Sequence, residues 1–381
     1  WCSHCGNGGT IVLCSTCNTR SACAECLDNY DFQEDDDLLF ICLPCFLNNK
    51  ANGDVPYLWK IMGKTAICEN WPKLNLDYMV IISIYLVGMV DTPGRVSYEI
   101  LQPWLQGNLI HFKIEFDCLT GGRKFDNQMR TMLAILEGRF SKCTQFLVTI
   151  TTHSDPRNRY VHVMPENHGA APINKLFDQI FSEDFKKILK HKKEHSNMLV
   201  MLSCGALLHI DTPRNFLEEF CKIKTFSKIL GFTQEHLQIF FTTQFLMDLS
   251  VQYFIHDCYN LRNVLPENQA LGAYTNIMEF TLNVMTTFMW VHQGSHPNSQ
   301  VYQSQCPLCG RLKIEGPKVD KNGSVTFTCM FEGCVGRSIF EFPAGASWIM
   351  GKALDQKDSR GGWLQIKEIK EKKAAVPMDI N

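Results

Sequence analysis

The sequence predicts an α/β protein: a mostly parallel sheet with helices on both faces, flanked by a small cysteine-bearing module at each end. Three observations predict it. Two apolar runs, residues 146–152 and 198–202, stop abruptly at polar residues, as buried parallel strands do when they deliver side chains to the carboxyl edge of a sheet. Strand-like and helix-like periodicities alternate around them. Eight cysteines fall in the first 45 residues and four between 306 and 334, all in close pairs.

The 381 residues suffice for two or three domains, and 45 % hydrophobic with 20 % charged residues is an ordinary globular balance. A net charge of −2 gives no bulk attraction for nucleic acid or membrane. The longest apolar run, 79–90, is too short to span a bilayer. Cys68, Cys118, Cys143, Cys204, Cys221 and Cys258 stand singly. Paired cysteines at the ends and lone thiols between them indicate zinc in a reducing, intracellular compartment.

Residues 1–50 form the first module. Its pairs are Cys2 and Cys5, Cys14 and Cys17, Cys23 and Cys26, and Cys42 and Cys45, each with two residues between sulfurs. That spacing lets one turn present both thiolates to one tetrahedral ion, so four pairs predict two zinc sites. With Gly8-Gly9 leading to Cys14, the stretch resembles a PHD or ADD zinc finger, although Cys23 stands where the PHD pattern has histidine. The resemblance implies a cross-brace, with Cys2, Cys5, Cys23 and Cys26 on one ion and Cys14, Cys17, Cys42 and Cys45 on the other. It also implies a histone-tail or other protein ligand and a nuclear location. Asp35, Asp36 and Asp37 suit a basic peptide, or are simply a solvated loop. Residues 51–75 read as a linker.

The central domain is expected at 76–292. Residues 77–90 are core, strand or helix. Residues 111–117 alternate as a strand, and 120–122 are a turn. Residues 126–139 carry Met129, Met132, Leu133 and Leu136 at helical spacing, with Asp126 as N-cap. The 146–152 strand follows, then a short extension at 159–164. Residues 173–189 read as one helix with Ile173, Leu176, Phe177, Ile180 and Phe181 on its stripe, running into a charged end at 186–195. The 198–202 strand comes next, and 271–289 reads as a long closing helix. Crossovers of this kind make a parallel sheet, whose sites lie at the carboxyl ends of its strands. His153 and Cys204 both fall there.

Alone, Cys204 is an ordinary buried thiol. With His153 at the matching strand end it becomes a candidate nucleophile, because histidine can take the thiol proton and the thiolate can attack a peptide carbonyl. The resulting oxyanion needs backbone N–H donors, for which the amide of Cys204 and one near Gly169 or Ser154 are candidates. About fifty residues separate the two, as in caspases. Thr152-His153-Ser154-Asp155 and Leu202-Ser203-Cys204-Gly205 resemble the strand-end motifs of caspase-like cysteine proteases of the caspase–hemoglobinase fold, most closely the CHAT branch. Ser154 departs from the glycine usual after the histidine. The resemblance implies a cysteine endopeptidase acting on protein substrates, with a further strand at 237–243 bordering the substrate pocket and a helix at 245–259. His162 and His168 are rival bases. Asp155, Asp211 and Asp248 are candidates for an acidic specificity pocket, and Arg157, Arg159 and Arg214 for a basic one.

A linker at 292–299 leads to the last module, 300–350. Cys306 and Cys309, followed by Gly310, form a knuckle; Cys329 and Cys334 follow at wider spacing. The module resembles a zinc ribbon with a third zinc ion, and Lys313, Lys318, Lys321 and Arg337 could meet nucleic acid. Residues 351–381 read as a charged tail. The alternative to a protease is a chromatin- or nucleic-acid-associated zinc protein with an inactive caspase-like scaffold.

Overall fold

A computed structural model describes residues 2–3, 10–28, 39–49, 57, 60–61, 74–117, 122–138, 140–155, 157–165, 168–190, 197–203, 207–300, 302–312, 316–350 and 361–368. Cys5, Asp35, Asp36, Asp37, the turn at 120–121, the charged run 191–195, Cys204, Gly205 and Lys313 lie outside the described residues. The chain divides into two units, Trp1–Asn75 and Leu76–Asn381.

In the first unit, β1 (Ile11–Leu13) pairs antiparallel with β2 (Ser21–Cys23), and β3 (Leu27–Asp28) is followed by the helix α1 (Leu43–Asn48). β3 pairs with β4 (Lys60–Ile61), so part of the expected linker belongs to this unit. Its buried cluster is Cys2, Cys14, Cys23, Cys26 and Cys42 with only Ala22, Leu27 and Phe40. Among the described residues this core is made mainly of thiols, which offer little apolar area to offset chain entropy; a metal bound there would supply folding energy.

The second unit is organised by a nine-stranded mixed sheet. In chain order its strands are β5 (Met79–Leu86), β6 (Leu109–Phe116), β7 (Gln145–Thr152), β10 (Asn197–Ser203), β11 (Lys228–Phe232), β12 (Ile277–Phe280), β13 (Met285–Val291), β17 (Ala346–Met350) and β18 (Gly362–Glu368). Laterally they run β17-β18-β13-β12-β11-β10-β7-β5-β6. β6, β5, β7, β10 and β11 are mutually parallel, and the remaining pairings are antiparallel. The ambiguous segment at 77–90 is thus a strand, and it lies inside the parallel core.

Alternate residues of these strands face different helices. Val80, Ile82, Ile84, Phe146, Val148, Ile150, Leu199 and Met201 share one cluster with residues of α3 (Gly122–Glu137), α4 (Ile173–Ile180), α5 (Glu183–Lys190) and α6 (Asp211–Lys222). α2 (Thr92–Leu101) packs against β5, β6 and β7, and against α7 (Thr243–Ser250), which it meets through the Ser250–Ser97 hydroxyl bond of 3.0 Å. The approach of α2 to β5 requires Gly94, because a Cβ there would run into the Ser83 hydroxyl, which is bonded to His111 Nε2 at 2.8 Å. Burial, with the nearby Lys113 charge, lowers the His111 pKa to about 4 and keeps the ring neutral.

Several expectations are corrected. Asp126 lies inside α3, not at its N-cap. The 173–189 stripe is buried as expected but breaks after Phe181, where the Ser182 hydroxyl accepts from the Phe185 amide and starts α5. The extension at 159–164 is one arm of a hairpin, β8 (Val161–His162) with β9 (Ala170–Ala171). The fifth parallel strand is β11, not 237–243; the latter is a short 3₁₀ turn entering α7. The segment 271–289 is not one helix. It holds the end of α8 (Gln269–Tyr274), then β12 and β13, joined by a turn in which Thr281 N–H bonds Val284 O.

The last module is a three-stranded antiparallel sheet of β14 (Lys318–Val319), β15 (Val325–Thr328) and β16 (Arg337–Phe340). The chain then returns to the large sheet. β17 and β18 fall in segments read from the sequence as the end of the ribbon and the charged tail, yet both are strands of the main sheet. No helix among the described residues is long and apolar enough to cross a membrane.

Leu364 of β18 is fully buried beside Met289 and Val291. Leu364→Ala is expected to destabilise the second unit by about 2–5 kcal/mol, read as a lower urea midpoint at unchanged slope. A disposable tail would give no shift.

Candidate functional site

The pairing of β7 with β10 sets the site. Their register runs from Asn197 opposite Phe146 to Ser203 opposite Thr152. The residue after Thr152 is His153, at the carboxyl edge of the sheet; the residue after Ser203 in the sequence is Cys204, which lies outside the described residues. His153 is exposed. Its backbone is tied down by the β8–β9 hairpin: His162 N–H donates to His153 O at 2.8 Å, Thr152 Oγ1 donates to His162 O at 2.7 Å, and Ser154 bridges Val161.

His162 is buried, and its ring meets that of His153 edge-on with centroids 6.1 Å apart. Although the residue as a whole is exposed, partial desolvation of the ring first, and then the neighbouring His162, lower the His153 pKa from its ordinary value. The imidazole therefore stays neutral near pH 7, the form that can accept a proton. Of the rival bases, His162 is drawn against His153, whereas His168 sits in the bend leading to β9 and does not line the crevice beside His153.

That crevice has a volume of about 600 Å³. It is lined by Met89, Val90 and Thr92 from the chain after β5, by Thr152, His153 and Leu202 at the strand ends, and by 236–240 with Thr243. Its place follows from topology. The five parallel strands lie in the order second, first, third, fourth, fifth, so connections leave β5 and β7 toward opposite faces. Ligands of open α/β sheets bind at such a switch point, outside the carboxyl ends of the strands. His236 also lines the crevice; a lone histidine in a polar loop carries no signal for this in the sequence.

None of the charged residues considered for specificity lines the crevice. Asp155 accepts from the amides of Arg157 and Asn158, which, with the Arg157 and His162 charges, hold its carboxyl below the usual range. Asp248 accepts from Gln244 and Asn268. Arg214 pairs with Asp211, and Arg159 with Glu235 at 3.7 Å.

Three cysteine clusters could hold metal ions: Cys14, Cys17, Cys42 and Cys45; Cys306, Cys309, Cys329 and Cys334; and Cys2, Cys23 and Cys26. The expected fourth member of the last, Cys5, is outside the described residues. The first and third clusters interleave along the chain as a cross-brace does. Tetrahedral zinc with Zn–S bonds of ~2.3 Å sets sulfurs about 3.8 Å apart. Cys17 and Cys42 are 3.9 Å apart, Cys306 and Cys334 3.7 Å, and Cys309 and Cys329 3.7 Å. Amides point at sulfur as they do in thiolate sites: Cys42 N–H to Cys14 at 3.2 Å and Gly336 N–H to Cys334 at 3.4 Å.

The acidity of the thiols fits the same reading. Backbone hydrogen bonds, led by that of Cys309, bring Cys306 down to about 6. Cys334 has a helpful bond from Gly336, yet burial and the three neighbouring sulfurs push it up to about 12. Four thiolates cannot coexist in this space without a cation, and zinc would supply the balancing charge.

Native mass spectrometry is expected to count three zinc ions per chain, one for each cluster. A Cβ at Gly336 would press on Cys306 Sγ, so Gly336→Val is expected to remove the ribbon's ion alone and leave two. A count of zero or one in the unaltered chain would defeat the metal reading.

No model of a known protein family matches this chain, and no curated protein matches its sequence significantly.

Proposed function

We propose that the protein is a caspase-like cysteine endopeptidase in which Cys204 is the nucleophile and His153 the general base, directed to its substrates by zinc modules. One observation carries this reading: Ser203 and Thr152 are paired at the ends of adjacent parallel strands, at a switch-point crevice that His153 lines. The resemblance of both strand ends to caspase-type and CHAT proteases supports it. The competing reading, an inactive scaffold, draws on Ser154 at the position where that family has glycine.

The chemistry follows from the neutral state of His153. The imidazole takes the Cys204 thiol proton, and the thiolate attacks the substrate's peptide carbonyl. Backbone N–H groups at the strand ends stabilise the oxyanion. The imidazolium then protonates the departing amine as the C–N bond breaks. Water, deprotonated by the same ring, hydrolyses the thioester and restores thiol and imidazole.

The modules supply location. An eight-cysteine finger of PHD or ADD type suits a basic protein tail such as that of a histone, and with it a nuclear setting. Among the described residues of the last module, Leu308, Leu312, Met330, Val335 and Ile339 are exposed apolar side chains, beside the exposed Arg311, Lys318, Lys321 and Arg337. The apolar groups suit a protein partner and the basic ones a nucleic acid.

A thiol-reactive peptide probe should label the protein at Cys204 and lose that labelling in Cys204→Ala; labelling that persists in the variant sinks the nucleophile assignment. His153→Ala is expected to lower kcat/KM by about 10²–10⁴. The pH profile gives an independent check. Because the His153 pKa is lowered from 6.5, the base remains neutral as pH falls to that value, and activity is lost only below it. Removing the repelling neighbour with His162→Asn should move this acid limb upward.

A further inference from the structure

We propose that the crevice beside His153 accepts an uncharged, apolar side chain on the residue that donates the scissile carbonyl. The proposal rests on the cysteine-protease reading and adds the substrate class. Among the described residues, nothing lining the crevice carries a carboxylate, ammonium or guanidinium.

The charged residues that lie close in sequence to the lining have partners of their own. Asp91, next to Val90, is paired with Lys113 at 2.7 Å. Glu235, next to His236, is paired with Arg159 at 3.7 Å, linking the chain after β7 to the chain after β11. Asp155 is occupied by backbone amides of its own turn. A charged substrate side chain seated here would lose hydration and gain no counter-ion, which is costly. An apolar one meets Leu202 and Leu237, which are buried, and Ile239.

The rim carries the second observation. Phe240 is 81 % exposed and Val90 58 %, and both line the same crevice. Large apolar side chains held in water around a concave site mark a surface that gains free energy when covered. An extended peptide with an apolar residue at the reacting position is the occupant that fits both the uncharged walls and the apolar rim.

The test uses the full chain and three peptide acyloxymethyl ketones that differ only in the residue beside the reactive ketone: Leu, Asp or Arg. The second-order rate of Cys204 labelling is measured for each. The Leu probe is expected to react about tenfold to a hundredfold faster than either charged probe. Phe240→Asp, at an exposed position that the fold does not need, is expected to narrow the Leu advantage and to accelerate the Arg probe. Faster Cys204 labelling by Asp or Arg overturns the specificity and leaves the protease reading standing. So does a selectivity unchanged in Phe240→Asp. Absence of Cys204 labelling by all three probes overturns both.

Discussion

The alignment of β7 with β10 is the constraint on which the site depends. Every residue of both strands is buried. A slip of one residue would exchange the two faces of a strand, moving Val148 and Ile150, or Leu199 and Met201, out of the helix-covered cluster they share. The register is therefore held by the whole apolar content of the sheet's centre, and the Ser203–Thr152 pair at its end is a consequence. At the amino end of the neighbouring strand, Lys228 adds a polar lock. Its ammonium is buried, bonded to Glu279 and to Tyr259 O at 2.8 Å, and lies over the Tyr253 ring. A buried charge has one acceptable partner arrangement, so this pair resists alternative registers of β11 against β12. One end of the sheet is pinned by a charge pair, while the carboxyl end keeps a crevice walled by uncharged groups.

What the sequence made legible follows the strength of its periodic signals. Residues 146–152 and 198–202 are short, apolar and sharply ended, and both are strands to within a residue of the expected limits. The cysteine pairs were read from spacing alone, because coordination by a tetrahedral ion constrains spacing. Three segments were not legible, each for a different reason. From 271 to 289 apolar residues follow one another closely enough to satisfy a helical or a strand pattern, and only the tight turn at 281–284 divides them. At 237–243 a strand was expected from the family resemblance, but the segment is a short 3₁₀ turn whose Phe240 and Phe241 are exposed, so their side chains do not record burial. At 362–368 the Lys and Glu residues suggested a solvated tail, although Trp363 and Leu364 are buried and only the last residues of the strand leave the core.

The same logic separates the parts of the candidate site. His153 was found because it terminates a recognisable strand. His162 was weighed as a competitor, and the hairpin that brings it edge-on to His153 gives it a different place: a buried ring that disfavours the charged form of its neighbour. The crevice walls were invisible in the sequence, since its lining comes from four separated stretches that only the strand order assembles. Spacing arguments find pairs of residues, whereas concavity is a property of topology.

That the chain returns to the large sheet after the third cysteine cluster changes the physical role of the ribbon. β13 and β18 are hydrogen-bonded neighbours, yet the whole ribbon lies between them in the sequence. Closing so long a loop costs configurational entropy, though only logarithmically with its length. The ribbon lowers that cost by organising the loop internally. Asn298, at its start, donates from one amide group to Gly323 O and to Phe340 O, both at 2.9 Å, joining the approach segment to the far strand. Cys306 and Cys334 are drawn together across the same module. Metal held by this cluster would therefore restrain the chain that must deliver β17 and β18 to the sheet edge. The ribbon is better understood as a cross-linked insertion within the α/β unit than as a module appended after it.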